Sequence, residues 1–213
     1  MNRVLIIGAS GGIGAAMAAG VAADEVICLS RRVDGLDVTD PASVARVLGG
    51  VTGVFDLIVV ATGMLGVPEK SLAAIEAGAM AQVFAVNAIG PALILREVPR
   101  LLAPRGKVAV LSARVGSIGD NQIGGWHSYR ASKAALNQIV RGAAIELARS
   151  NRGSVCVALH PGTVETAFTA QYAGRHKTVT AAQAARDLLA VIAGLGPDQS
   201  GGFYDYAGRV VAW

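Results

Sequence analysis

Charge is scarce in this 213-residue chain: Asp, Glu, Lys and Arg together make up 16% of it, against 53% hydrophobic residues and a mean hydropathy of +0.48. So thin a polar surface fits either extra burial in a homo-oligomer or a core rich in Ala and Gly. Aromatic residues are scarcer still, at 5%, and do not interleave with basic ones. The net charge of +4 is scattered, with no Lys/Arg run, so a nucleic-acid partner is not expected. Two cysteines, Cys28 and Cys156, are too few for a disulfide framework, and both stand in apolar, strand-like runs that suit buried thiols. His127, His160 and His176 share no ligand spacing with them, so no metal is expected. No apolar run reaches the roughly 18 uninterrupted residues of a transmembrane helix, so no membrane partner is expected either. The N-terminus superficially imitates a secretory signal, but Gly8, Gly11, Gly12 and Gly14 interrupt it, and the chain is expected to be cytoplasmic.

What is present is a rhythm. Short β-branched apolar runs recur at Val4–Ile7, Val26–Leu29, Leu57–Val60, Val108–Leu111 and Val155–Leu159, with helical stretches between them and a last strand at Gly202–Tyr206. Strands that are apolar throughout are buried on both faces, which is the condition of a parallel sheet between helices. The pattern predicts an α/β fold: a single-domain, Rossmann-type, doubly wound parallel sheet with helices on both faces over residues 1–213. Two helix starts are readable, Asp40 before Pro41, and Thr180 with Gln183 in capping-box spacing before Ala184–Ala193.

Directly after the first strand stands Gly8-Ala9-Ser10-Gly11-Gly12-Ile13-Gly14, opening a helix through Ala15–Ala19. Glycines here allow a tight turn, close backbone approach to a pyrophosphate, and packing of helix on strand. The helix N-terminus adds amide donors and the positive end of a dipole. This placement predicts a dinucleotide site. After the second strand come Arg31 and Arg32, where an NAD-binding fold carries an acid for the ribose 2′-hydroxyl. Guanidinium groups match a 2′-phosphate, so NADP(H) is expected over NAD(H); the bland alternative is a solvated pair of surface arginines.

Tyr129 and Lys133 stand four apart in a helical stretch and so share a face. A phenol of pKa about 10 is a poor acid–base group at neutral pH. An ammonium about 4 Å away, at an effective dielectric near 20, contributes roughly 4 kcal/mol, or about three pKa units. That would bring Tyr129 close to working range.

With these residues in order, the chain resembles the short-chain dehydrogenase/reductase family from end to end. The stretches Ser112–Asn121 and Gly124–Asn137 are similar to the small C-factor and sniffer-like carbonyl reductases, as is Phe203–Trp213. The resemblance implies that Tyr129 exchanges a proton with a carbonyl or alcohol on a small substrate while hydride passes to or from the nicotinamide. Lys133 would lower the tyrosine pKa and bind the nicotinamide ribose, and Asn87 would hold a water linking Lys133 to a proton relay. Asp37 and Val38 would sit beside the adenine. Ala61, Thr62 and Gly63 would line the middle of the cofactor, and Pro161, Gly162, Val164 and Thr166 its nicotinamide end. A homodimer or homotetramer is also implied, with apolar stripes at Ala81–Leu102 and Ala134–Leu147 that pair across a two-fold axis or cover the sheet.

Two positions depart from the family pattern. Its Asn-Ala-Gly appears as Ala61-Thr62-Gly63, so the asparagine's sheet-stabilising role has passed to a threonine or been lost. The register of its catalytic serine falls on Ala113, leaving Ser112 and Ser117 as candidates for a hydroxyl that orients the carbonyl. The short segment Ala167–Val179 points to an open site for small or varied carbonyls. Nucleotide-sugar epimerases share the tyrosine–lysine spacing but need a larger substrate domain after Gly162. The alternative of a different class is a non-catalytic NADP-binding signalling or redox-sensing protein of C-factor type.

Overall fold

The structure, a computed structural model, describes residues 1–169 and 178–213. His176 and most of the expected short lid at Ala167–Val179 lie outside the described residues. The chain runs β1 (Arg3–Ile7), α1 (Gly12–Gly20), β2 (Glu25–Leu29), α2 (Arg31–Asp34), α3 (Pro41–Gly49), β3 (Phe55–Val60), α4 (Ala77–Phe84), α5 (Gly90–Leu101) and β4 (Leu102–Leu111). It continues through α6 (His127–Ser150), β5 (Val155–His160), β6 (Val164–Glu165), β7 (Val179–Thr180), α7 (Ala181–Gly194) and β8 (Phe203–Asp205). Six strands form one parallel sheet in the order β2-β1-β3-β4-β5-β8, while β6 and β7 pair separately.

Strand alternation divides the core in two. Leu5, Ile7, Ile58, Val60, Val108 and Val110 face α3, α5 and α6 through Val44, Leu48, Ile94, Val98, Leu136 and Val140. Their neighbours Val4, Ile6, Leu57, Val59, Ala109 and Leu111 face α1 and α7 through Met17, Leu188 and Ile192. Each strand therefore buries both faces, as its uninterrupted apolar sequence requires, and the sheet is doubly wound.

The edge strand is different. β2 has β1 as its sole neighbour in the sheet, and Cys28 on it is exposed, while Cys156 in the central β5 is fully buried. The expectation of two buried thiols fails at Cys28 because an edge strand lacks the covering that a central strand receives. β4 also begins earlier than its apolar run: pairing with β3 jumps from Phe55–Leu102 to Leu57–Lys107. The bulge between carries Arg105 at φ 61, a left-handed conformation, and Pro104-Arg105-Gly106 reads in sequence as a turn. β8 is shorter than expected, and Tyr206 beyond it is exposed.

Asp40 caps α3 as expected, accepting from the Ala42 N–H at 2.9 Å. Only half of the capping box at α7 forms. Thr180 Oγ1 accepts from the Gln183 N–H at 3.2 Å, but the Gln183 side chain turns forward to Asp187 and Arg186 instead of back to Thr180. Between α4 and α5 the chain makes one π-helical turn, Ala85–Ile89, so that 25 residues, Ala77–Leu101, run on as one apolar helix. Its length and composition suffice for a membrane, but Val83, Asn87, Ala88, Ile94, Leu95, Val98 and Leu101 are buried inside the protein.

Candidate active site

β2 and β3 flank β1, the chain crossing from β2 over β1 to β3, so the strand order reverses and a crevice opens beyond the C-terminal ends of β1 and β3. The glycine turn lies there. Gly8, at φ +91, and Ala9 donate their N–H groups to Leu29 O at 2.8 and 3.1 Å, and a Cβ on Gly14 would lie 2.4 Å from Gly8 O. These contacts make both glycines obligatory for the turn itself. Gly11 and Gly12 are exposed, and α1 begins without a side-chain cap, so its first-turn amides face the crevice unclaimed by any side chain. A Cβ on Gly12 would lie 2.5 Å from Thr166 Cγ2, which brings the segment after β5 over the glycine turn. In that segment Gly162 takes φ +79 against the Tyr206 ring, and Val164 is buried.

Arg31 and Arg32 open α2 and are exposed, with no ion pair among the described residues. Asp34, in the same short helix, is engaged by the backbone: its carboxylate accepts from the Ser30 N–H at 2.7 Å. Asp37 lies close by, held below the usual carboxylate range by hydrogen bonds from the Thr39 hydroxyl and N–H, with Arg31 adding to the effect. Val38 packs against Gly90, where a Cβ would lie 2.9 Å from it.

The tyrosine–lysine pair stands at the start of α6. Tyr129 is buried against Leu65 and Val83, with Met64, Ala113, Val115 and Trp126 around it. The rings of Trp126 and Phe168 lie 6.2 and 6.1 Å from its own. Lys133 is buried one turn on, its Nζ donating to Leu111 O at 3.0 Å and lying 6.0 Å from the centre of the Tyr129 ring. Asn87, turned inward by the π-helical turn, accepts from the Met64 N–H and donates to Met64 O, both at 2.8 Å, and donates to Ser132 Oγ at 3.0 Å. Ser132 passes its own hydrogen to Tyr129 O. A Cβ on Gly63 would lie 3.5 Å from Asn87 Oδ1 and 3.6 Å from Lys133 Nζ, so both polar groups converge on one patch of bare backbone.

The electrostatic expectation for the pair is overturned. Burial pushes the Tyr129 hydroxyl above its usual range, and burial pushes Lys133 down to about 8. In so apolar a pocket the loss of hydration outweighs an ammonium that lies over the ring and is spent on a carbonyl.

A family model described as Enoyl-(Acyl carrier protein) reductase matches residues 28–192. The chain is 32% identical, over the full length of both proteins, to 1-hydroxy-2-glutathionyl-2-methyl-3-butene dehydrogenase of Rhodococcus sp. (strain AD45). The chain belongs to the short-chain dehydrogenase/reductase family. A second relative, the C-signal of Myxococcus xanthus, is 37% identical over 76% of this chain and 95% of its own. Among solved structures, the carbonyl reductase Sniffer of D. melanogaster shares the fold at a TM-score of 0.86 and 22% identity, with complete coverage of both chains. A putative short-chain dehydrogenase/reductase from Burkholderia multivorans with bound NADP gives a TM-score of 0.83 at 25% identity, covering 100% of this chain and 99% of that one.

Against the pattern of short-chain dehydrogenases/reductases, the two departures have physical outcomes. Thr62 Oγ1 is buried with no hydrogen-bond partner among the described residues, so the missing asparagine's bond has not passed to it. Neither candidate serine is directed to Tyr129. Ser112 donates to Asn137 Oδ1 at 2.6 Å, and Ser117 accepts from the Asp120 N–H within its own turn. Ala113 is the residue packed against the Tyr129 cluster, on the opposite side of the strand from Ser112. Sequence reasoning missed Glu69, Ser128 and Ser132, buried polar groups around Tyr129 that only the fold brings together.

Proposed function

We propose that this short-chain dehydrogenase/reductase interconverts a carbonyl and an alcohol on a small substrate with NADP(H), the reaction occurring at Tyr129. The observation that carries this reading is the convergence of Lys133 Nζ and Asn87 Oδ1 on Gly63, beside the buried Tyr129 and next to the glycine turn. The cofactor fits the residues present. Uncapped α1 amides match a pyrophosphate, and Arg31 and Arg32, free of ion pairs among the described residues, match a 2′-phosphate. Thr62 Oγ1, without a hydrogen-bond partner among the described residues, is a donor beside the same crevice. The B. multivorans relative with bound NADP supports the same choice.

When bound, the nicotinamide supplies or accepts the hydride. Tyr129 gives its proton to the carbonyl oxygen in reduction and takes it back in oxidation. Its raised pKa keeps the phenol protonated at neutral pH, which favours the donor role. Lys133 supplies positive charge beside the phenolate that remains, and Asn87, fixed by Met64 and Ser132, would hold a water linking Lys133 to the relay that replaces the proton. Met64, Leu65, Ala113, Val115, Trp126 and Phe168 exclude water and favour an apolar substrate. The chain acts as one cytoplasmic domain, paired as a homodimer or homotetramer through faces that leave Ile89 and Ile145 exposed.

Following NADPH absorbance with a panel of aldehydes, ketones and quinones tests the reading, and turnover on none of them would sink it. The absent hydroxyl at Ala113 and the similarity to C-signal favour the second reading, a non-catalytic NADP-binding signalling protein. NADPH binding without turnover would support it. Two substitutions refine the assignment. Glu in place of Arg31 or Arg32 should raise the NADPH KM by about tenfold while the NADH KM barely moves; equal effects on both would show a merely solvated pair. Ala113→Ser places a donor against the Tyr129 cluster and should raise kcat by about tenfold, since one donor aimed at a developing oxyanion is worth at least that much. A fall in kcat would mean the substrate carbonyl is oriented without a hydroxyl.

A further inference from the structure

The helix that carries Tyr129 begins in an unusual way. Gly124, Gly125 and Trp126 take φ of +68, +64 and +52 in succession, a left-handed run that turns the chain sharply just before α6. Trp126 stands at the cap position, where an indole, a donor only, cannot accept from a helix N–H, and the first turn carries no acid. By local sequence alone the first amides of this 24-residue helix would lack partners.

Glu69, distant in sequence and in the loop after β3, supplies what is missing. It is only 7% exposed. Its backbone oxygen accepts from the Trp126 N–H at 2.7 Å. Its carboxylate accepts from the Ser128 N–H, 3.3 Å from each oxygen, and from the Ser128 hydroxyl in a short hydrogen bond. Burial alone would raise the carboxyl pKa, but the Ser128 hydroxyl and N–H, together with the N–H of Glu69 itself and the charge of His127, hold the group below the usual carboxylate range. An ionised carboxylate at this point also faces the positive end of the α6 dipole. Arg130 ties the same turn from the other side, donating to Gly125 O at 3.0 Å and Val115 O at 3.3 Å. Tyr129 is the next residue along the helix, and its ring meets that of Trp126 edge to face.

We propose that Glu69 is a positioning residue for the reaction: by clamping Trp126 and Ser128 it fixes the depth and rotation of the first turn of α6, and so the place of the Tyr129 hydroxyl. The inference rests on the assignment of Tyr129 as proton donor. Displacing a reacting group by an ångström is enough to cost up to about a hundredfold, so a clamp one residue away has leverage on rate with little on binding.

Glu69→Ala, Glu69→Gln and Ser128→Ala test it in the full chain, with kcat and KM for a reduced carbonyl, the NADPH Kd and the melting temperature measured for each. Glu69→Ala should lower kcat by about tenfold or more while the NADPH Kd stays within about twofold. Glu69→Gln, which keeps one oxygen acceptor for Ser128, should recover most of the loss. The Glu69→Ala/Ser128→Ala double variant should be no slower than the slower single one, because both remove the same clamp. Unchanged kcat in Glu69→Ala, a Gln variant no faster than Ala, or NADPH affinity falling in step with kcat would each overturn the proposal. If Glu69→Ala does not fold, unchanged kcat in both Glu69→Gln and Ser128→Ala overturns it. A wild-type protein without turnover removes the catalytic reading and this inference together, whereas an active wild type with an unaffected Glu69→Ala removes this inference alone.

Discussion

Tyr129→Phe is expected to lower kcat about a thousandfold while leaving the NADPH Kd within about twofold. The substitution deletes one oxygen and keeps the ring that Leu65, Val83, Trp126 and Phe168 pack against, so neither the pocket nor the start of α6 should shift. Burial has already raised the pKa of that hydroxyl. The wild-type enzyme should therefore hold its donor proton throughout the neutral range, and the donor itself should impose no pH dependence on carbonyl reduction there. Alcohol oxidation needs the phenolate and should climb as the solution becomes alkaline. The variant should lose the alkaline rise of oxidation, together with the rate in both directions. Initial rates of NADPH consumption and of NADP reduction across pH would show it. Turnover near the wild-type value in Tyr129→Phe would place the proton donor elsewhere.

The parts of this site that sequence reveals are those set by local rules. The glycine turn is legible because local geometry requires its glycines: Gly8 takes a left-handed φ of +91, and a Cβ on Gly14 would strike the Gly8 carbonyl. The Tyr129–Lys133 spacing is legible because helical periodicity puts both on one face. Arg31 and Arg32 follow directly from the end of β2, and the continuous apolar strands announce a sheet covered on both sides. What sequence does not reveal depends on pairs far apart in the chain. Asn87 meets Met64 and Ser132 only because a π-helical turn rotates it inward, and Glu69 meets Ser128 across 59 residues. The exposure of Cys28 follows from strand order, which no local pattern encodes. The rise of the Tyr129 pKa has a related cause. The four-residue spacing brings Lys133 into the neighbourhood, but the depth of the pocket and the pull of Leu111 O decide which effect wins.

Lys133→Met is expected to cost about a hundredfold in kcat/KM and, at pH 7, to make the protein more stable. The ammonium is buried, its partner is one neutral carbonyl, and its pKa falls to about 8 from an ordinary 10.5. A folded-state pKa below the unfolded one means that the folded protein binds this proton less well. Below pH 8 both states are charged and the folded state bears the whole penalty, on the order of 3 kcal/mol. Between pH 8 and 10.5 the folded lysine is neutral while the unfolded one is still charged, so stability rises with pH through that window. Methionine fills similar space without the charge and loses one hydrogen bond to Leu111 O, worth about 1 kcal/mol. The balance should raise the melting temperature by about 4 to 8 °C at pH 7, and the advantage should shrink as the pH passes 9. Carbonyl reduction by the wild type should decline through about pH 8 as the same lysine loses its charge beside Tyr129. Thermal unfolding from pH 6 to pH 10 on both proteins, alongside rates, separates the two roles. A variant that melts lower than wild type at pH 7 would mean the lysine is held for the fold. A variant that melts higher and does not turn over would mean the folded protein tolerates a costly buried charge because the chemistry requires it.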